Sequence, residues 1–398
     1  MIGVLGLVPG MPHFAFLVLA AGLFGVAYYL NIKRKQAALA PEVSAPTEMP
    51  KEVTDVSWQD VMPVDILGLE VGYRLVPLVD RGQDGELLKR IKAIRRKFAQ
   101  EIGFLPPAIH IRDNLELRPA AYRILLKGVE IAQHEAHVGM FLAINPGRVV
   151  TEVPGIATTD PAFGLPAVWV EAGARNAAQA AGYTVVDAST VIATHLSQVL
   201  SAHSSELLGR QELQQLLDHL ARENPKLLED LVPKVLPLAT LQKVLQLLLE
   251  EGVHIRDMRT IVDALATACA RTLDPGELTA QVRIALGRAI AQQMFPGTAD
   301  MQVMVLDPAL ERTLMQAASL ESSVIEPQLA EQLVAGTRAA AEKQEQFGLP
   351  ALLLVPANLR VLLSRFLRRA IPQLKVMSHA EIPDTRAIKV VSIVGNQQ

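Results

Sequence analysis

Cysteine is almost missing from this chain. The single Cys269 excludes an intramolecular disulfide and any zinc site built on thiolates, and it suits a reducing compartment. It sits in "IVDALATACARTL", a helical pattern in which a free cysteine reads as a buried small apolar side chain. Charge of either sign is nearly balanced. The 38 Lys and Arg against 41 Asp and Glu leave a formal net charge of −3, which speaks against a nucleic-acid partner. Neither a Walker A sequence nor Gly-x-Gly-x-x-Gly occurs, so nucleotide cofactors have no support. Fixed-period repeats are absent as well. Aromatic residues make up only 4% of the chain, so any place where they gather invites a question.

Apolar residues, by contrast, are plentiful. Half of the 398 residues are hydrophobic and a fifth are charged, enough for two to four domains with sizeable cores. The mean hydropathy of +0.25 points to a membrane segment. Pro12–Leu30, "PHFAFLVLAAGLFGVAYYL", carries no Asp, Glu, Lys or Arg. As a helix it would cover roughly 28 Å, close to a hydrocarbon core of about 30 Å. Tyr28 and Tyr29 lie at one end, followed by Lys33, Arg34 and Lys35. That order predicts a membrane-spanning helix over 12–32 with the rest of the chain in the cytoplasm. A signal peptide would place its positive charge before the apolar run. The opening "MIGVLGLVPGMP" is already apolar and reads as the loop before a late membrane helix. Residues 33–64 begin with an Ala-, Pro- and Glu-rich stretch without apolar period. They predict a tether, with a coil dimension of roughly 25–30 Å.

Beyond the tether the pattern is mixed. "DILGLEVGYRLVPLVD" (Asp65–Asp80) reads as a strand. The stripe Leu87, Leu88, Ile91, Ile94 and Phe98 reads as an amphipathic helix ended by Gly103. "AAYRILLKGVEIAQHEA" predicts strands bent at Lys127-Gly128, and a helix begins at about Ala188. From Gln211 to Ala270 the period is helical, with breaks at Pro225, Pro233, Pro237 and Gly252. "AQVRIALGRAIAQQM" reads as one helix. The strands "MQVMVLD", "PALLLVP", "LKVMSHAEI" and "IKVVSIV" mark a second α/β region, which also contains the helix "LRVLLSRFLRRAI".

A search for chemistry finds little. "HEAHV" (His134–Val138) lacks zincin spacing, and on a strand His134 and His137 would face opposite sides. His195 with Asp187, Ser189 and Ser204 can be drawn as a triad but has no nucleophile elbow. "RFLRR" (Arg365–Arg369) reads as a solvated or intersubunit helix face before an anionic-lipid contact. No metal, cofactor or catalytic residue is expected. The puzzle is "TTDPAFGLPAVWV", Thr158–Val170, which places Phe163, Leu165, Val168 and Trp169 beside turn-forming residues. Either they plug a junction or they shape an apolar socket for a partner.

Several long segments then run in a suggestive order: "MFLAINPG", "FGLPAVWV", "GYTVVDASTVIATHL", "LLGRQELQQLLD", "LQKVLQLLLEEGVHIRDMRTI" and "ALGRAIAQQMFPG". Together they resemble the FlhA/SctV family of type III secretion export-gate proteins over nearly the whole chain. The resemblance implies an α/β and α+β multidomain cytoplasmic region behind one transmembrane helix. A thioredoxin-like subdomain would cover 65–137 plus 188–207, and an inserted ferredoxin-like subdomain 138–187. A helical subdomain would cover 208–287 and a C-terminal α/β subdomain 288–398. The resemblance further implies a homo-nonameric ring beneath the inner membrane, in contact with other export-gate membrane components and an export ATPase complex. Such a ring docks export chaperones with bound substrates during flagellum assembly. The injectisome gate of a virulence-type system is the alternative, and a membrane-anchored enzyme with an unrecognised site a remote one. Carried over residue by residue, the docking dimple falls on Asp160, Phe163 and Thr194. Its walls fall on Leu142, Ile144, Pro146, Leu165, Val186 and Val191, while Trp169 stays in the core. Gly72 falls at a place the family keeps small, a candidate hinge. His254 departs from the family's usual Pro, and the family's first seven membrane helices are not in the sequence.

Overall fold

The computed structural model describes residues 13–38, 64–80, 85–147, 149, 151–223, 225, 231–232, 234–297, 300–319 and 326–395. The chain divides into two compact units, Met1–Pro63 and Val64–Gln398.

In the first unit, helix α1 covers His13–Ala38. It therefore takes in the first residues of the expected tether, "KRKQAA", which are all good helix formers and extend the helix past its apolar run. The remainder of that tether, 39–63, lies outside the described residues. Side chains 21–33 are exposed. Among the described residues no helix is long and apolar enough to cross a membrane. Much of the expected span 12–32 falls on side chains 12–20, outside that set.

Among its described residues the second unit holds three four-stranded sheets. The first contains β1 (Leu67–Val71), β2 (Ile109–Asp113), β3 (Ala121–Leu126) and β4 (Val129–Glu135), in the order β2-β1-β3-β4. β1 and β2 run parallel, and the other pairs are antiparallel. The bend at Lys127-Gly128 is a two-residue hairpin turn with φ of 51° and 79°, both left-handed as such turns require. The strand expected over 65–80 ends at Val71, and a short helix α2 (Val76–Val79) follows. Gly72 causes the break. Its N–H bonds the carbonyl of Ala121, and a Cβ there would lie 2.3 Å from the carbonyl oxygen of Arg118. Helix α3 (Glu86–Ile102) joins β1 to β2, burying Leu87, Ile91, Phe98 and Ile102 and stopping at left-handed Gly103.

The second sheet comprises β5 (Met140–Ile144), β6 (Ile156–Thr159), β7 (Pro166–Glu171) and β8 (Thr184–Asp187). It is antiparallel in the order β6-β7-β5-β8. Helix α4 (Arg175–Ala180) covers one face through Ala143, Val170, Ala178 and Tyr183. The chain then enters α5 (Ala188–Ala202), which packs on α3.

Among the described residues, helices α6 (Ser204–Leu207), α7 (Arg210–Glu223), α8 (Leu238–Glu250), α9 (Met258–Ala268) and α10 (Pro275–Ala285) follow. The expected apolar stripes are inward-facing, and Leu213, Leu241, Val244, Leu245, Leu248, Ile261 and Leu265 are all buried. Cys269 caps α9 half-buried rather than buried, because the helix ends there. The helix expected over "AQVRIALGRAIAQQM" is two, α10 and α11 (Gly287–Met294). The break is at Leu286, beside Gly287, where a Cβ would fall 2.1 Å from the carbonyl oxygen of Glu381.

The third sheet contains β9 (Met301–Leu306), β10 (Leu352–Val355), β11 (Lys375–Ser378) and β12 (Ile388–Val394), all parallel in the order β11-β10-β9-β12. Helices α12 (Pro308–Ser319), α13 (Pro327–Gln346) and α14 (Ala357–Ala370) connect these strands. Alternation divides the sheet's two faces. Met304, Leu306, Leu353 and Val355 pack with Leu359, Leu363 and Leu367 of α14. Val303, Leu352, Leu354 and Met377 join the large core shared with the helices and the first sheet.

Candidate functional site

The puzzling stretch forms β6, a loop and β7. Pairing across the second sheet sets two rows of side chains on the face opposite α4. The first row runs Ile156, Trp169, Leu142, Val186 across all four strands. The second runs Thr158, Ala167, Ile144, Thr184. The middle of this face is sealed: Trp169, Leu142 and Ala167 belong to the large core, with Val191 of α5. Ile144 and Val186 are half-buried at its margin, and so is Thr194, three residues along α5 from Val191. At the β6 edge the row leaves the core, and Ile156 is 51% exposed.

The loop between β6 and β7 is closed by Asp160. Its N–H donates to the carbonyl of Leu165 at 2.8 Å, and its own carbonyl accepts from the N–H of Gly164 at 2.8 Å. Its carboxylate accepts from the N–H of Phe163 at 2.8 Å. Gly164 takes the left-handed conformation that this return needs, φ 69°. Asp160 itself is buried, 3% exposed, and so is Ala162. Phe163 is held outward at 69% exposure and Leu165 at 38%. The two large side chains that the sequence left ambiguous are thus separated. Trp169 plugs the junction, while Phe163 faces water.

The expected dimple residues therefore fall into three groups. Phe163, Leu165 and Pro146 are exposed; Ile144, Val186 and Thr194 are half-buried; Leu142, Val191 and Asp160 are buried. The sequence reading missed Ile156, whose only signal was one large apolar residue in the polar strand "IATT". It also missed the polar pair beneath the site. Tyr122 Oη lies 2.8 Å from His195 Nδ1, and both side chains are buried. Burial, and then the charge of Asp160, push the Tyr122 hydroxyl well above its ordinary pKa. Burial, and then the nearby His134, bring His195 down to about 4, so the ring is neutral at pH 7.

This arrangement dissolves the drawn triad. Asp187 caps α5, accepting from Ser189 Oγ at 2.5 Å, Thr190 N at 2.8 Å and Thr190 Oγ1 at 2.7 Å. Its other partner is Arg90, 3.1 Å away. Burial raises its pKa, but those hydrogen bonds and the Arg90 charge together hold it below the ordinary value. "HEAHV" is also structural. His134 Nδ1 meets the carbonyl of Glu135 at 3.0 Å, and His137 lies edge-on to Trp169 at 5.3 Å. Among the described residues no group of three His, Cys, Asp or Glu could hold a metal. What the loop exposes is apolar, Phe163 and Leu165, on a turn closed by the Asp160 hydrogen bonds.

A model of the FHIPEP family matches residues 1–387. The chain belongs to the FHIPEP family. Among its FHIPEP relatives, flagellar biosynthesis protein FlhA of Yersinia enterocolitica is 55% identical over 394 residues, covering 99% of this chain and 57% of that protein. FlhA of Escherichia coli K12 is 54% identical over 398 residues, covering 100% of this chain and again 57% of the relative. The chain thus spans rather more than half the length of these relatives, and corresponds to their C-terminal part. The Chlamydia pneumoniae CdsV protein shares the fold with a TM-score of 0.73 and 25% identity, over 84% of this chain and 99% of that one. Nonameric EPEC SctV-C has the same fold, with a TM-score of 0.66 and 21% identity over 84% of this chain and 100% of that one.

Proposed function

We propose that this chain is the ring-forming cytoplasmic platform of a flagellar type III export gate, where export chaperones loaded with substrate dock before transfer to the membrane channel. The observation that carries the reading is the exposure of Phe163, 69%, on a loop closed by the Asp160 hydrogen bonds. Large apolar side chains fixed outward on a stiff frame suit recognition of an amphipathic helix. Phe163, Leu165 and Ile156 supply the apolar contact, with Ile144, Val186 and Thr194 at its inner margin. Asp160, being buried, positions the loop rather than touching the partner. Leu142 and Val191 support the floor from below.

The family and the identity to FlhA favour the flagellar machine over the injectisome. The nonameric assembly of SctV-C, a protein of this fold, supports a ring for this chain too. In this reading 12–32 spans the inner membrane, 33–64 tethers the platform, and export-gate membrane components and the export ATPase complex are its neighbours. The first sheet with α5 forms the thioredoxin-like subdomain and the second sheet the ferredoxin-like insertion. Residues 208–287 form the helical subdomain and 288–398 the C-terminal one. Gly72 is the bend about which they adjust. Docking and release need no covalent chemistry.

Calorimetric titration with a flagellar chaperone bound to its filament-type substrate tests the reading. Wild type is expected to bind, and Phe163→Ala to lose at least tenfold in affinity while keeping its circular dichroism. Equal binding by the folded variant would remove Phe163 from the docking surface.

A further inference from the structure

Glu251, just after α8, accepts from Arg283 at 2.7 Å and from Arg360 at 2.6 Å. Glu381 pairs with Arg283 at 2.6 Å and Arg360 at 3.4 Å. Two carboxylates and two guanidinium groups thus balance, joining the helical region to the third sheet. Beside this seam lies a half-enclosed cavity of about 80 Å³, lined in part by Glu250, Glu251, Gly252, Arg283, Arg368 and Lys375. Arg368 is answered by Glu250, to whose carbonyl and carboxylate it donates. Lys375 is not answered in this way. Its Nζ donates to the carbonyl of Glu251 at 3.2 Å, and among the described residues no carboxylate lies within ion-pair distance of it.

Three further observations mark the cavity as built for a ligand. Arg283, only 3% exposed, has an Nε with no hydrogen-bond partner. Gly252 sits at φ 72°, and a Cβ there would lie 2.5 Å from Lys375 Nζ. The left-handed φ already calls for glycine there, and its missing side chain leaves room for the ammonium. Lys375 also has a lowered pKa, first through burial and then through the Arg283 charge, with the Glu251 charge opposing and the Arg368 charge adding. An anion beside the buried ammonium would relieve that cost.

We propose that this cavity binds a compact tetrahedral oxyanion of the phosphate or sulfate type, held by Lys375, Arg283 and Arg368. At about 80 Å³ the cavity exceeds the roughly 10–15 Å³ that one water needs, which leaves room for a polyatomic ion. Lys375 brings a positive charge whose hydrogen bond goes to a carbonyl and not to a carboxylate, and the guanidinium groups bring directional donors. A bound oxyanion would tie α10 to β11 and α14, stiffening the joint between the helical region and the third sheet. The site shares no residue with the hairpin surface around Phe163, so each stands or falls alone.

The test is calorimetry on the whole 398-residue chain in detergent, with inorganic phosphate titrated against sodium chloride of equal ionic strength. Saturable binding is expected for wild type and for Phe163→Ala. Lys375→Gln is expected to weaken it at least tenfold while remaining folded by circular dichroism. Should Lys375→Gln fail to fold, Arg368→Gln takes its place with the same expectation. A peptide of glutamate residues forms a second arm. No binding of phosphate beyond chloride, or equal binding by the folded variant, overturns the proposal. Lys375-dependent binding of the acidic peptide without phosphate also overturns it, and would assign the cavity to a partner's carboxylate.

Discussion

Tyr122 of β3 and His195 of α5 meet in the interior, hydroxyl to Nδ1 at 2.8 Å, with their rings edge-to-face at 5.7 Å. A neutral ring suits this environment, because burial penalises the imidazolium. The folded pKa of His195 is about 4, against an ordinary 6.5. Between those values the unfolded chain binds a proton that the native protein does not. Stability is therefore full above pH 6.5 and falls as pH drops toward 4, by roughly 2–3 kcal/mol at about 1.4 kcal/mol per unit. His254, also lowered by burial, adds to the same slope. Urea unfolding across this range is expected to show the loss, and His195→Gln to flatten it. An unchanged slope in the variant would place the titration elsewhere.

Phe163 and Trp169 are expected to behave as opposites. Trp169 is 1% exposed and fills the floor of the second sheet's inner face. Trp169→Ala should cost about 3–5 kcal/mol of stability. Phe163→Ala, at an exposed position, should stay within about 0.5 kcal/mol of wild type while losing the docking affinity. Thermal unfolding beside calorimetry separates the two effects.

Gly72 has an extended backbone, φ −68° and ψ 160°, so its need for glycine comes from close approach and not from a left-handed turn. The carbonyl oxygens of Arg118 and Pro119 lie 2.3 and 2.7 Å from where a Cβ would be. Both are backbone atoms and yield little. Gly72→Ala is expected to destabilise by about 1–3 kcal/mol through overpacking. Gly173→Ala, with nothing within 4 Å, is the neutral control. Equal melting temperatures would show that the β2–β3 loop gives way.

Glu381 is 2% exposed and faces two buried arginines. Glu381→Gln keeps the volume and removes the charge. It should cost roughly 3–5 kcal/mol, because the remaining guanidinium groups lose compensation in a poorly solvated place. If the double variant Arg283→Met with Glu381→Gln recovers part of that loss, the cost lies in the unpaired charge and not in packing.

Much of this architecture could be read along the chain. The helix start at Ala188 was legible because Asp187 before "AST" is an N-cap signal, and the hairpin because Lys127-Gly128 interrupts alternating residues. The leucine stripes of α8 and α9 declared their buried faces through helical spacing. Two boundaries were misread for one reason. β1 stops just before Gly72 and α11 starts at Gly287, and at both glycines a carbonyl from a distant segment, Arg118 or Glu381, leaves no room for a Cβ. No local pattern records such an approach.

For the candidate site, the residue types alone singled out "TTDPAFGLPAVWV" as a place where scarce aromatics meet turn formers. Local rules could not say which aromatic was buried. Strand register decided it, aligning Trp169 with Leu142 and Val186 over the core while the Asp160 loop carried Phe163 past the sheet's end. The charged seam was hidden altogether. Glu251 and Glu381 lie far apart in sequence, and no local pattern pairs them. Only folding brings them against Arg283 and Arg360, because a buried charge survives where its counter-charge arrives from another element. Propensity and periodicity are local and so are written in the sequence. Burial and charge compensation are sums over the whole fold, and the tertiary structure alone decides them.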